Sequence, residues 1–236
     1  MKNIKAVLFD LDGTLLDTLD DLTDAVNATM RVFGYPEHTK AAVRSYVGNG
    51  VTRLMELVLP GGAEDENFEE ATAVYRRIYA AHSEEKTRPY DGIAECVGTL
   101  ARCGIKTAVV SNKPDETTVR LTKKWFPEIH AAAGENEAAG IRRKPAPDMV
   151  LRAMAALGVT PEETVYVGDS EVDLLTAKNA GLPCISVLWG FRDREELAAA
   201  GASVLIGTPQ ELTELVTEGT GPADARKEHA QGGCRS

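Results

Sequence analysis

The spacing of apolar positions changes period several times along the chain. A short unbroken apolar run, Val7-Leu8-Phe9, stops at Asp10 and resumes only as Leu11 and Leu15 around Asp12-Gly13-Thr14, the pattern of a buried strand that ends in a turn. Leu19, Leu22, Val26, Met30 and Phe33 then recur every three or four residues until Gly34, and this spacing predicts a helix. It returns at Val51, Leu54, Met55 and Val58, and again at Phe68, Ala71, Tyr75, Ile78 and Tyr79, with Pro60-Gly61-Gly62 as a turn between. From Ile93 onward helices alternate with strands: a helix through Ile93, Val97 and Leu100 ends at Gly104, and strands are predicted at residues 105–110, 129–133, 164–167, 184–188 and 203–206.

Short apolar strands alternating with helices predict an α/β fold, a Rossmann-like parallel sheet with helices on both faces. The all-helical stretch interrupts it as a cap. The expected division is a core of residues 1–16 and 87–216, a helical cap of residues 17–86, and a solvated polar tail over 217–236.

A chain of 236 residues, 43% of them hydrophobic, can bury such a core. Its formal net charge of -10 disfavours nucleic acid and anionic lipid surfaces as partners. The apolar stretch after Met1-Lys2-Asn3 is too short for a signal peptide, and no run is long enough to span a bilayer. Cys96, Cys103, Cys184 and Cys234 lack the spacing of a disulfide or zinc motif, so a cytoplasmic protein with reduced thiols is expected. His38, His82, His130 and His229 form no zinc-ligand pair.

The candidate chemistry gathers at strand ends, where open α/β sheets bind their ligands. Asp10 and Asp12 stand one residue apart, and two such acids stay ionised together only beside positive charge. A divalent cation and a division of labour resolve this: Asp10 as nucleophile and metal ligand, Asp12 as general acid and base. A strand-end turn in which the acids merely reverse the chain is the plainer alternative. Ser111 and Asn112 follow a second strand and offer a hydroxyl and an amide to a phosphate, although they also suit an ordinary helix entry. Lys144, within Arg142-Arg143-Lys144-Pro145-Ala146-Pro147, can neutralise Asp10 and a transferring phosphoryl group; Arg142 and Arg143 read as solvated. Asp169, after the strand 164–167, completes an all-oxygen magnesium site, with Asp173 holding a ligating water or orienting Lys144.

Taken in order, Asp10-Leu11-Asp12-Gly13-Thr14, Ser111, Lys144-Pro145 and Gly168-Asp169-x-x-x-Asp173 resemble the four motifs of the haloacid dehalogenase superfamily over nearly the whole chain before the tail. The resemblance implies a Rossmann-like core, Mg2+ and an aspartyl-phosphate intermediate. Carried over, it makes Asp10 the nucleophile, Asp12 the acid and base, Ser111, Asn112 and Lys144 the phosphate holders, and the Asp10 carboxylate, the Asp12 carbonyl and Asp169 the metal ligands, supported by Asp173. The acid at position 12 places the chain with the phosphate-handling members rather than the dehalogenases. Val43-Arg44-Ser45-Tyr46-Val47-Gly48-Asn49-Gly50 and Ser111-Asn112-Lys113-Pro114 look most like phosphoglycolate phosphatases. Arg44 or a backbone amide near Gly48 is then the candidate for a substrate carboxylate, and a loop between cap helices is the simpler alternative.

The expected activity is Mg2+-dependent hydrolysis of a small phosphorylated metabolite, 2-phosphoglycolate foremost, by a monomer or homodimer. Pyrophosphate, nucleotide or sugar phosphate hydrolysis and β-phosphoglucomutase activity are the alternatives within the superfamily. The hinge histidine usual in the mutases is missing, since His38 is the first in the chain. A silent phosphate-binding module is the reading outside enzymology.

Overall fold

The computed structural model describes residues 3–217. In chain order its elements are β1 (Ala6–Phe9), β2 (Leu16–Asp17), α1 (Leu19–Phe33), α2 (Lys40–Tyr46), α3 (Gly50–Val58), α4 (Phe68–His82), β3 (Arg88–Pro89), α5 (Ile93–Arg102), β4 (Lys106–Pro114), α6 (Asp115–Trp125), β5 (Ala131–Glu135), α7 (Asp148–Leu157), β6 (Thr164–Gly168), α8 (Glu171–Ala180), β7 (Cys184–Val187), α9 (Arg194–Ala199), β8 (Leu205–Ile206) and α10 (Pro209–Thr217). The chain position 217, expected to open the tail, instead closes α10; the rest of the expected tail lies outside the described residues.

Six strands pair in the order β5-β4-β1-β6-β7-β8, and every pairing is parallel. A parallel sheet is covered on both faces, which is why β1 is apolar at every position: Val7 and Phe9 join one hydrophobic cluster and Ala6 and Leu8 the other. The first cluster takes in Ile93, Val97 and Leu100 of α5 and Leu212 and Val216 of α10. The second takes in Met149, Val150 and Met154 of α7 and Ala177 of α8.

Helices α1 to α4 gather around a third cluster of their own, with Leu22, Val26, Met30, Leu54, Met55 and Tyr75 at its centre. The spacing that predicted α1 is its buried face, and Gly34 ends it in the left-handed conformation at φ 70°. The two crossings into this insert pair as the antiparallel ribbon β2–β3, and Asp21 of α1 accepts hydrogen bonds from the main-chain N–H groups of Lys86 and Thr87 at 2.9 Å each. Among the described residues no helix is long and apolar enough to cross a membrane.

Several strand ends differ from expectation. β4 runs on past Val110 through Ser111 to Pro114, so α6 starts at Asp115, and β5 follows its longer neighbour to Glu135. Polar residues continue the strand here because they are buried and hydrogen-bonded at the site below. β8 is shorter than expected, two residues at the sheet edge.

Candidate active site

β1 lies at the centre of the sheet, where the strand order departs in both directions. The carboxyl ends of β1, β4 and β6 therefore open onto one crevice, the place where such sheets bind ligands. Asp10 and Asp12 leave β1, Ser111, Asn112 and Lys113 leave the apolar part of β4, and Asp169 follows β6. All of these residues, with Lys144, line a cavity of about 310 Å³ closed on its other side by Val47, Val51 and Leu54 of the helical insert.

Lys144 is 3% exposed and its ammonium lies 2.7 Å from Asp10 Oδ1 and 2.8 Å from Asp173 Oδ1. Asn112 fixes the lysine's main chain: its Oδ1 accepts from Lys144 N at 2.6 Å, and its Nδ2 donates to Lys144 O and to Gly48 O at 3.1 Å each. The Asn112 side chain, expected to hold phosphate, is thus committed at both ends to Lys144 and the insert. Ser111 accepts from Lys113 N at 3.2 Å and has its hydroxyl proton left for a ligand.

Asp173 stands at the third position of α8 and reaches back over the first turn. Its Oδ2 accepts from Asp169 N, Ser170 N and Ser170 Oγ, while Oδ1 serves Lys144 and the Tyr166 hydroxyl. Both oxygens are therefore occupied by protein donors. Asp169 accepts from Phe191 N at 2.6 Å and Thr14 Oγ1 at 3.3 Å. Glycine permits this approach: a Cβ on Gly13, whose φ is 85°, would stand 2.3 Å from Asp169 Oδ2, and one on Gly190 would stand 2.3 Å from Asp169 Cβ.

Oxygens of Asp10, Asp169 and Asp173 lie within 4.8 Å of one another. One lysine does not balance three buried carboxylates. Burial and Asp173 push Asp10 well above the ordinary carboxylate range against the pull of Lys144, and burial with Asp173 lifts Asp169 to about 7. Burial works against the charge on Lys144, yet Asp10 and Asp173 hold its pKa well above the ordinary lysine value. An all-oxygen group with unmet negative charge suits a hard divalent cation.

On the opposite side of the crevice Lys113, 6% exposed, has its ammonium 3.1 Å from Asp12 Oδ1. It also donates to the Tyr79 hydroxyl of α4 and lies 4.3 Å from that ring's centroid. Of the two expected specificity positions, Gly48 lines the cavity and Arg44 does not. Arg44 contributes its carbonyl to Arg192, whose guanidinium also holds Val47 O and Glu171. Lys113, Tyr79 and Arg192 escaped the sequence reading. Lys113 stands in the sequence only within Ser111-Asn112-Lys113-Pro114, with no role of its own, and Tyr79 fits the apolar stripe of its helix.

Residues 7–187 match the haloacid dehalogenase-like hydrolase family. The chain belongs to that family. Members similar to it include the phosphoglycolate phosphatase of Thiobacillus denitrificans, 33% identical with 91% of this chain and 96% of the relative covered. The phosphoglycolate phosphatase of Aquifex aeolicus is 34% identical, with 90% and 97% covered. A crystal structure of a family protein from Lactobacillus delbrueckii subsp. bulgaricus superposes with a TM-score of 0.86 at 36% identity, covering 92% of this chain and 99% of that one. As a haloacid dehalogenase-like hydrolase, the chain has its strand-end acids and Lys144 around one crevice, as the four motifs implied.

Proposed function

We propose that this protein is a Mg2+-dependent phosphatase for a small phosphate monoester, 2-phosphoglycolate first, acting through an aspartyl-phosphate on Asp10. The observation that carries the reading is the placement of Asp10: its carboxylate is held by Lys144 at 2.7 Å, beside Asp169 and at the wall of a cavity sized for a small molecule. Curated relatives named phosphoglycolate phosphatase, matched over nearly their whole length, support the choice of ester.

Asp10 attacks phosphorus, and the ester oxygen departs with a proton from Asp12. Asp12 then takes a proton from the water that cleaves the acyl phosphate, so that both half-reactions pass through one carboxyl group. The Ser111 hydroxyl and the Lys144 ammonium hold the phosphoryl oxygens, and Lys144 offsets the charge that gathers on them. Asn112 serves by fixing Lys144. The Asp10 and Asp169 carboxylates and the Asp12 carbonyl would hold Mg2+, with Asp173 in support, and the ion would supply charge neutralisation at the phosphoryl group. Helices α1 to α4 act as a cap that keeps water from the site, and the apolar lining by Leu22, Val47, Val51, Leu54 and Phe191 supports that role. Free thiols at Cys96, Cys103 and Cys184 support a reducing compartment such as the cytoplasm.

The test is phosphate release from 2-phosphoglycolate, glucose 1-phosphate, pyrophosphate and nucleoside monophosphates, each with Mg2+ and with chelator. Mg2+-dependent release favouring 2-phosphoglycolate is expected. Release without metal, or from none of these compounds, overturns the proposal.

A further inference from the structure

Four cationic side chains border the cavity, and three of them are paired or exposed. Lys144 is bound to Asp10 and Asp173, Arg192 is spent on two carbonyls and Glu171, and Arg76 is exposed on α4. Lys113 is different. It is a buried ammonium, with side-chain exposure of 3%, whose partners are one carboxylate oxygen of Asp12 and the hydroxyl of Tyr79.

An ammonium carries three donors; one goes to the Tyr79 hydroxyl, and Asp12 Oδ1 lies at ion-pair distance, 3.1 Å, without a hydrogen bond to it. Tyr79 accepts from Lys113, so its own proton is free to donate, and burial together with Asp12 and Asp21 keeps the phenol protonated by pushing its pKa well above 10. Among the described residues neither the remaining ammonium donors nor the phenol proton has a hydrogen-bond acceptor. Leu22, Leu54, Tyr75 and Ala80 give the cavity an apolar and aromatic lining, to which Thr117 and the exposed carboxylate of Glu116 also contribute. Two donor groups and a positive charge stand in a dry recess, an arrangement that binds an anion.

The recess has a fixed place in the reaction. Resting on the phosphatase reading above, Asp12 protonates the leaving oxygen, and the ammonium beside Asp12 therefore faces whatever group is attached to that oxygen. In 2-phosphoglycolate a carboxylate follows one methylene beyond it. We infer that Lys113 and Tyr79 form the subsite for a carboxylate adjacent to the scissile ester, and so determine specificity for 2-phosphorylated hydroxy acids over uncharged alkyl phosphates. Lys113 comes from the sheet and Tyr79 from the insert, so the subsite is complete only when the two are together.

The experiment compares kcat/KM for 2-phosphoglycolate and for ethyl phosphate, which lacks the carboxylate, using the full chain with Mg2+. The wild type is expected to prefer 2-phosphoglycolate. In Lys113→Met that preference should fall by about tenfold or more, the scale of a lost charge-assisted hydrogen bond. Tyr79→Phe, which keeps the ring, should reduce it by a smaller factor, and Arg76→Ala should leave it in place. Equal loss on both esters in Lys113→Met would make Lys113 a support for Asp12 alone and overturn the inference, as would a preference governed by Arg76. If Lys113→Met does not fold, an unmoved preference in Tyr79→Phe overturns it. A wild type that hydrolyses both esters equally removes the subsite and leaves the phosphatase standing, whereas one that hydrolyses no ester removes the phosphatase reading itself.

Discussion

Three carboxylates and one ammonium share a space from which water is nearly excluded, so each proton or cation there displaces another. Asp169, raised to about 7 by burial and Asp173, keeps a proton in the folded chain that the unfolded chain has already released. Metal-free stability therefore contains a term that falls as pH rises from the ordinary carboxylate range to about 7, since the folded state binds the extra proton. On the proposed reading Mg2+ would take that proton's place. Its apparent affinity is expected to climb by up to roughly tenfold per pH unit for each proton displaced, and to level off above about pH 7. The gain in Tm on adding Mg2+, measured across this range, should be largest at the alkaline end. Asp10→Asn should remove turnover by at least about 10³-fold while circular dichroism shows the same fold, because the amide is neither nucleophile nor anionic ligand. Asp12→Ala should slow both half-reactions, measured as the burst of alcohol release for the first and the steady-state release of phosphate for the second. Asp10 and Asp169 were legible in the sequence because each directly follows an apolar strand, and Asp12 and Asp173 because they stand one turn further on from them. Asn112 was legible only as a polar residue at the same edge; its bonds to Lys144 and Gly48 arise from a loop 32 residues further on and from the insert, which local pattern does not encode.

At the scale of elements, the turn after β1 and the ribbon β2–β3 carry most of the constraint. Gly13→Ala would force a side chain into positive φ and against Asp169 Oδ2. The expected result is a protein that still folds but loses the stabilisation by Mg2+, read as a flat Tm against metal concentration. Asp21 ties α1 to the return crossing through two main-chain N–H groups. Asp21→Ala leaves those donors without the carboxylate and should lower the unfolding free energy by about 2 kcal/mol in urea titration. Helix periods announced α1, α3 and α4 well, because each buries one stripe in the same cluster. Strand lengths were less legible. β4 is prolonged by Ser111, Asn112 and Lys113, whose burial rests on hydrogen bonds and ion pairs made at a distance.

For the whole molecule, the sequence disclosed the architecture because a parallel sheet requires apolar strands separated by covering helices, and few other arrangements accept that pattern. The pairing of β1 with both β4 and β6 was less open to view, since nothing local to residues 6–9 names its neighbours. That central position also sets an order of assembly. β1 leaves the ribosome early but finds its first partner only after about a hundred further residues, a long loop to close. The intervening helices make short-range contacts with one another and form their own cluster, so they are expected to consolidate first and draw the flanking crossings together as β2 and β3. Pulse-labelled hydrogen exchange should then find amide protection in α1 and α4 before β1. The segment that separates β1 from the rest of its sheet would thus be the clasp that shortens its search for its partners.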